Sequence, residues 1–179
     1  MAKSKNVLIG VTASIAIYKA CEIVRRLKEE GCSVTVIMTE ESKEFIRPIV
    51  FQSLSNNQVY SGLFDSPQAW EIEHISLAEK ADVVLVAPAT ANVIAKAASG
   101  ICDDLLTCVL SATRAPVLFA PAMNERMYEN KITQANIQKL KGLGFSFIGP
   151  REGKLACGKV GVGCLADVET IVKETIKVL

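Results

Sequence analysis

Residues 6–38 read NVLIGVTASIAIYKACEIVRRLKEEGCSVTVIM, and the fold follows from them. The apolar run NVLIGV at 6–11 suits a strand buried on both faces. Residues 14–30 carry Ala16, Ala20, Ile23, Val24 and Leu27 at helical spacing, with Arg25, Lys28 and Glu29 turned away. Gly31 stands where a left-handed residue closes a helix. SVTVIM at 33–38 is rich in β-branched residues, which favour a second strand. Buried strands joined by helices imply a parallel sheet, because each crossover lays a helix on a sheet face.

The rest of the chain continues the alternation. Thr39 can cap the helical stretch TEESKEFI. A short helix is expected over 48–54 and a less regular connection over 55–73. A buried strand follows at 82–87, then helices at 90–98 and 103–112 separated by Gly100. Further on come a strand at 116–120, a helix at 132–141 and a short last strand at 145–148. Residues 151–165 are glycine-rich and expected to be irregular. Residues 167–179 form an amphipathic helix with Val168, Ile171, Val172 and Leu179 as its apolar set. The prediction is one domain over 1–179: a three-layer αβα, doubly wound parallel sheet, Rossmann-like or flavodoxin-like. Ligands in such folds bind beyond the C-terminal ends of the strands. That directs attention to segment 10–14, Thr39, segment 88–93 and segment 121–127.

Composition narrows the function classes. Half of the 179 residues are hydrophobic, and a chain of this length can bury a substantial core. With 20 basic and 19 acidic residues the net charge is +1, so no bulk attraction to nucleic acid or membrane is expected. The basic start MAKSKNVLIGV has too brief an apolar run for a signal peptide, and no apolar run reaches bilayer length. A cytoplasmic location is the expectation. Six cysteines without a CxxC pair, beside a single histidine, argue against a metal site. Free thiols, most of them small core residues, are expected instead.

Two strand-to-helix corners stand out. In GVTASIAIYK (10–19), Thr12 and Ser14 offer hydroxyls where a helix begins, and the N–H groups of a helix start suit a phosphate. Ala13 and Ser14 stand where glycines would complete GxGxxG, so the dinucleotide fingerprint is absent and a mononucleotide fits better. PATAN at 88–92 repeats the design. Ser14, Thr39 and Thr90 are each also ordinary helix caps, but several such corners in one sheet would gather in space.

Five segments, in order, carry a resemblance: GVTASIAIYK (10–19), EHISLAEKAD (73–82), PATANVIAKAASGICDDLLT (88–107), PAMNERMY (121–128) and GKLACGKVGVG (153–163). They resemble the flavin-containing cysteine decarboxylases, and among these the phosphopantothenoylcysteine decarboxylases, with their PASANT, PxMNxxMW and ACG motifs. The resemblance implies FMN as cofactor, with Thr12, Ala13, Ser14, Thr39, Thr90, Ala91, Asn92, Val93 and Ala122 as its neighbours. It implies His74 and Cys157 as catalytic residues and Asn124, Met123 and Ala156 as substrate-binding residues. It further implies a small-molecule thiol substrate, 4′-phosphopantothenoylcysteine. The assembly would be a homo-oligomer, a trimer or a dodecamer built of trimers, with the active site at a subunit interface. Either a monofunctional enzyme or part of a bifunctional one with a following ligase domain is compatible with it. Val93 departs from the threonine of PASANT, Tyr128 from tryptophan, and Cys164 stands where an arginine often follows the loop's last glycine.

The implied chemistry has a physical logic. A carboxylate on a saturated carbon loses CO2 reluctantly, because the carbanion has nowhere to put its charge. A flavin that takes a hydride from the carbon bearing the thiol leaves a thioaldehyde as electron sink, and CO2 departs as an enethiolate forms. Re-reduction and a proton then give 4′-phosphopantetheine. His74 is the expected base. The Asn124 amide is expected to hold the substrate carboxylate. Cys157, in a loop that its glycines would make pliable enough to act as a lid, is the expected proton donor. Lys154 and Lys159 beside it could favour the thiolate or contact phosphate. Two readings stand beside this one: a peptidyl-cysteine decarboxylase of lantibiotic maturation, and a non-catalytic FMN-binding regulatory subunit. A flavin prenyltransferase is disfavoured by the MN motif and Cys157.

Overall fold

The computed structural model describes residues 4–63, 73–156 and 158–179. Strands β1 (Asn6–Val11), β2 (Ser33–Met38), β3 (Val59–Tyr60), β4 (Val83–Ala89), β5 (Val117–Pro121) and β6 (Ser146–Phe147) form one sheet in the order β3-β2-β1-β4-β5-β6. Every pairing in it is parallel. This is the Rossmann strand order rather than the flavodoxin one. The order reverses between β1 and β4, so a crevice opens at their C-terminal ends. A second, two-stranded antiparallel sheet pairs β7 (Arg151–Lys154) with β8 (Val160–Cys164).

Strand alternation sends side chains to two cores. Val7, Ile9 and Val11 point to one face, where α1 (Tyr18–Glu29), α2 (Pro48–Ser55) and α8 (Val168–Lys177) supply Ile23, Leu27, Phe51, Ile171 and Val172. Leu8, Val84, Val86 and Phe119 point to the other. There they meet Leu77, Ile94, Leu106 and Ile137 from α3 (Glu73–Lys80), α4 (Ala91–Ser99), α5 (Leu105–Ala112) and α7 (Lys131–Gly142). Each such aliphatic side chain contributes roughly 1.5–3 kcal/mol by burial. Gly10 explains how closely α5 can lie: a Cβ there would meet Leu106 Cδ1 at 2.5 Å.

Helix ends follow local rules. Gly31 (φ +82°) and Gly100 (φ +69°) take the left-handed conformation after α1 and α4. A capping box opens α5: the Thr107 N–H donates to Asp104 Oδ1 at 2.8 Å, and the Asp104 N–H to Thr107 Oγ1 at 3.2 Å. Lys96 holds the same corner through Asp103 (2.8 Å) and Asp104 (3.2 Å).

Four sequence expectations are corrected. The connection after residue 55 contains β3, too short to show a period, while its residues 64–72 lie outside the described residues. Residues 151–165 are not irregular but hold the β7–β8 hairpin, whose glycines hid its alternation. Thr39 makes no side-chain cap; its carbonyl instead accepts from the Ser42 N–H at 3.0 Å and hydroxyl at 2.7 Å. Of the described cysteines, all free, only Cys32 is buried. Burial raises the thiol pKa of Cys21, Cys32 and Cys108. Among the described residues no helix is long and apolar enough to cross a membrane.

Candidate active site

Three strand ends are tied together at the crevice. Thr12, 2% exposed, donates its hydroxyl to the Pro88 carbonyl at 2.7 Å and accepts from the Thr90 N–H at 3.2 Å. One side chain therefore joins the corner after β1 to the corner after β4. Ser14 donates to the Ala122 carbonyl at 3.2 Å and accepts the Ala16 N–H at 3.4 Å, joining β1 to β5. The Ala122 N–H donates to the Ala89 carbonyl at 3.0 Å. Thr90 caps α4, accepting from the Val93 N–H at 3.4 Å. Ser14 and Thr90 are thus caps that also stand at one crevice.

The fourth wall is the hairpin. The Met123 N–H donates to the Gly163 carbonyl at 3.0 Å. A Cβ at Gly163 would lie 2.2 Å from the Met123 carbonyl, and one at Gly161 would lie 2.5 Å from a Glu125 carboxylate oxygen. Gly163 therefore serves close approach of the hairpin to the Met123 backbone, and Gly161 that of the Glu125 side chain. Asn124 caps the short α6 (Glu125–Tyr128) through Oδ1, which accepts the Arg126 N–H at 3.0 Å.

Between these walls lies a cleft of about 670 Å³, the size of a small-molecule site. Ala13, Ser14, Thr90, Ala91 and Ala122 line it from the strand ends, with Met123, Asn124 and Met127 beside them. Leu155, Ala156, Gly158 and Cys164 line it from the hairpin. The N-terminus of α4 reaches it at Ala91, where free N–H groups favour an anion.

Not every expected residue reaches this cleft. Thr12 lies beneath it, as a tie. Thr39 and the exposed Asn92 are not in its lining, and the Val93 side chain packs into the core at 3% exposure. His74 sits half-buried in the first turn of α3, which packs on α5, and is outside the lining. Its neighbour Glu73 acts on Tyr60 of β3: burial first, then that carboxylate, raise the phenol pKa. Cys157 lies outside the described residues. Lys19 and Arg151, in the lining, escaped the sequence reading, because only the hairpin register brings Arg151 to the cleft. The alternating Gly161 and Gly163 were the signal that could have revealed it. Among the described residues no group of His, Cys, Asp or Glu gathers to hold a metal.

A ligand cleft at the switch point of a parallel sheet, beside a helix N-terminus, defines a ligand-binding protein of the doubly wound α/β class. More particularly, the chain belongs to the flavoprotein family, whose model matches residues 1–179. It is 46% identical over 173 residues to a probable phosphopantothenoylcysteine decarboxylase of Streptococcus mutans, covering 96% of this chain and 97% of that protein. It is 49% identical over 173 residues to the coenzyme A biosynthesis bifunctional protein CoaBC of Bacillus subtilis, covering 97% of this chain. It spans only 43% of the length of that protein. Among solved structures it is similar to a phosphopantothenoylcysteine decarboxylase variant complexed with pantothenoylaminoethenethiol, at 30% identity and a TM-score of 0.86 over 98% of both chains. The FMN-dependent cysteine decarboxylase SpaF aligns at 26% identity and a TM-score of 0.85, covering 97% of this chain and 95% of that one.

Proposed function

We propose that the chain binds FMN in this cleft and decarboxylates 4′-phosphopantothenoylcysteine to 4′-phosphopantetheine, a step of coenzyme A biosynthesis. The observation that carries the reading is the seating of Asn124 and Ala156 in the same cleft as Ser14, Thr90 and Ala91. The names of the relatives at 46–49% identity support it.

The residues present fit a flavin mononucleotide. The Ser14 hydroxyl and the start of α4 suit its phosphate, and Ala13, Ala91, Ala122 and Met127 offer apolar walls to a planar ring. When bound, FMN would accept two electrons from the carbon next to sulfur, which lets the neighbouring carboxyl group leave as CO2, and would give the same two electrons back to the unsaturated thiol, so that the net reaction is not a redox one. Asn124, its Oδ1 held by the cap, presents its amide to the substrate carboxylate. His74 is the base that takes the proton released as the thiol carbon is oxidised. Cys157 is the proton donor that completes the product, and its neighbours Ala156 and Gly158 line the cleft.

A base must come within hydrogen-bond reach of its proton, and His74 is not part of its own chain's cleft. We infer that it acts from a second copy, in the homo-oligomer that the family resemblance implies, a trimer or a dodecamer built of trimers with the site at the interface. In support, Ile15 and Tyr18, each 62% exposed, and Met127, 49% exposed, form an apolar rim around the cleft. The described cysteines are free, which accords with a cytoplasmic setting.

The test is the absorbance spectrum of the purified protein, followed anaerobically as 4′-phosphopantothenoylcysteine is added. A flavin spectrum that responds to the thiol, with one CO2 released per substrate, is expected. A protein that takes up no FMN, or that holds it and releases no CO2, refutes the proposal.

A further inference from the structure

Among the described residues the cleft lining carries three cations and no carboxylate: Lys19 on α1, and Arg151 and Lys154 at the two ends of β7. Lys19 follows the strand-end wall, where Ser14 and the start of α4 already suit one phosphate. Two of the three stand on the hairpin that closes the opposite wall. Arg151 is the register partner of Cys164, and Lys154 that of Val160.

Arg151 is held in place. Its Nε–H donates to Asp167 Oδ1 at 3.0 Å and its Nη1–H to the Glu152 carbonyl at 3.3 Å. A Cβ built on Gly153 would lie 3.0 Å from Arg151 Nη1 and 3.1 Å from Cys164 Sγ. The absent side chain at 153 therefore leaves the space that the guanidinium occupies, alongside the thiol of Cys164. Position 164 carries no charge of its own; its cross-strand partner brings one to the same place on the hairpin. A guanidinium held on one edge by Asp167, lining a cleft whose described lining has no carboxylate, suits the oxygens of a phosphate monoester.

We propose that Arg151, with Lys154, forms a second anion subsite that takes the terminal phosphate of the thiol substrate, and that Arg151 is the residue that selects phosphorylated over unphosphorylated substrate. This deepens the function proposed above and rests on it. The flavin phosphate is served by the strand-end wall and the substrate phosphate by the hairpin, so the two anions of the complex do not compete for one site.

The experiment compares the FMN-loaded protein with its Arg151→Ala and Lys154→Ala variants on two thiol substrates, 4′-phosphopantothenoylcysteine and the same compound without its phosphate. Binding of the products, 4′-phosphopantetheine and pantetheine, is measured separately by calorimetry. Arg151→Ala is expected to raise KM for the phosphorylated substrate roughly 10- to 100-fold, the effect of losing a charge-assisted hydrogen bond. Its kcat, its KM for the unphosphorylated substrate and its FMN content are expected to hold. Lys154→Ala, which leaves the Arg151–Asp167 pair intact, is expected to act in the same direction and guards against misfolding of the first variant. Calorimetry is expected to show that wild type prefers the phosphorylated product and that Arg151→Ala loses the preference.

Equal effects on both substrates, or none, overturn the proposal. So does loss of FMN from Arg151→Ala, which would assign the hairpin cations to the flavin phosphate. A wild type that binds phosphopantetheine no more tightly than pantetheine also overturns it. If wild type releases no CO2 from either thiol yet prefers the phosphorylated product, the decarboxylase reading falls and the anion subsite stands.

Discussion

Replacing Thr12 by valine tests how the site is held together. Valine keeps the β-branched shape and fills the same buried space, so packing is preserved. What disappears is a hydroxyl that donates to the Pro88 carbonyl at 2.7 Å and accepts from the Thr90 N–H at 3.2 Å. A buried polar group left without its partner costs about 1–3 kcal/mol. Two groups lose theirs here, one of them only part-buried, which puts the sum at about 3 kcal/mol. A chain of this size loses about 2–4 °C of Tm per kcal/mol, so a fall of about 6–12 °C is expected. Thr12→Ser is the control: it keeps the hydroxyl and gives up one methyl, worth about 1 kcal/mol. Thermal unfolding followed by circular dichroism, at equal FMN, reads both. FMN affinity, by fluorescence titration, is expected to fall with valine and hold with serine, because the corners after β1 and β4 would no longer be tied. If Thr12→Val melts within about 2 °C of wild type, or if serine costs as much as valine, the hydroxyl is not the tie and the reasoning fails.

Gly163→Ala is expected to destabilise by about 1–3 kcal/mol, since its Cβ would press on the Met123 carbonyl and unseat the hairpin; an unchanged Tm with unchanged KM would contradict that packing. His74→Asn is expected to retain FMN and lose flavin reduction on anaerobic addition of substrate; rapid reduction in that variant removes His74 from the base role. Mixing two inactive variants, His74→Asn with Asn124→Ala, is expected to restore part of the activity if the two residues act from different copies, and no recovery would place them in one. Cys157→Ser is expected to keep FMN and accumulate an unsaturated thiol product, visible by mass spectrometry; normal 4′-phosphopantetheine output would exclude Cys157 from the last proton transfer.

Much of this was legible along the chain, because strands buried on both faces and amphipathic helices write their period directly into residue type. β1, α1 and β2 are placed by NVLIGV, the apolar stripe from Ala16 to Leu27, and SVTVIM, and the glycines at 31 and 100 mark the helix ends they terminate. The corners at 12–14 and 88–93 could be picked out because ligand sites of parallel sheets lie at strand ends. What stayed hidden depends on pairing between distant segments. The choice of strand order 3-2-1-4-5-6 over the flavodoxin order is made by which buried strands lie side by side, and near-uniform apolar strands do not encode their neighbours. Thr12 read as a phosphate contact, yet it is a buried tie whose partners lie 76 and 78 residues away. The hairpin read as irregular because Gly153, Gly161 and Gly163 have no side chains to alternate. Their absence is what lets Arg151, Glu125 and the Met123 carbonyl approach. Arg151 becomes part of the cleft only through its register with Cys164. Local propensity and hydrophobic period settled the layers and the corners; the site's ties and its basic wall were decided by contacts between backbones that only the folded sheet brings together.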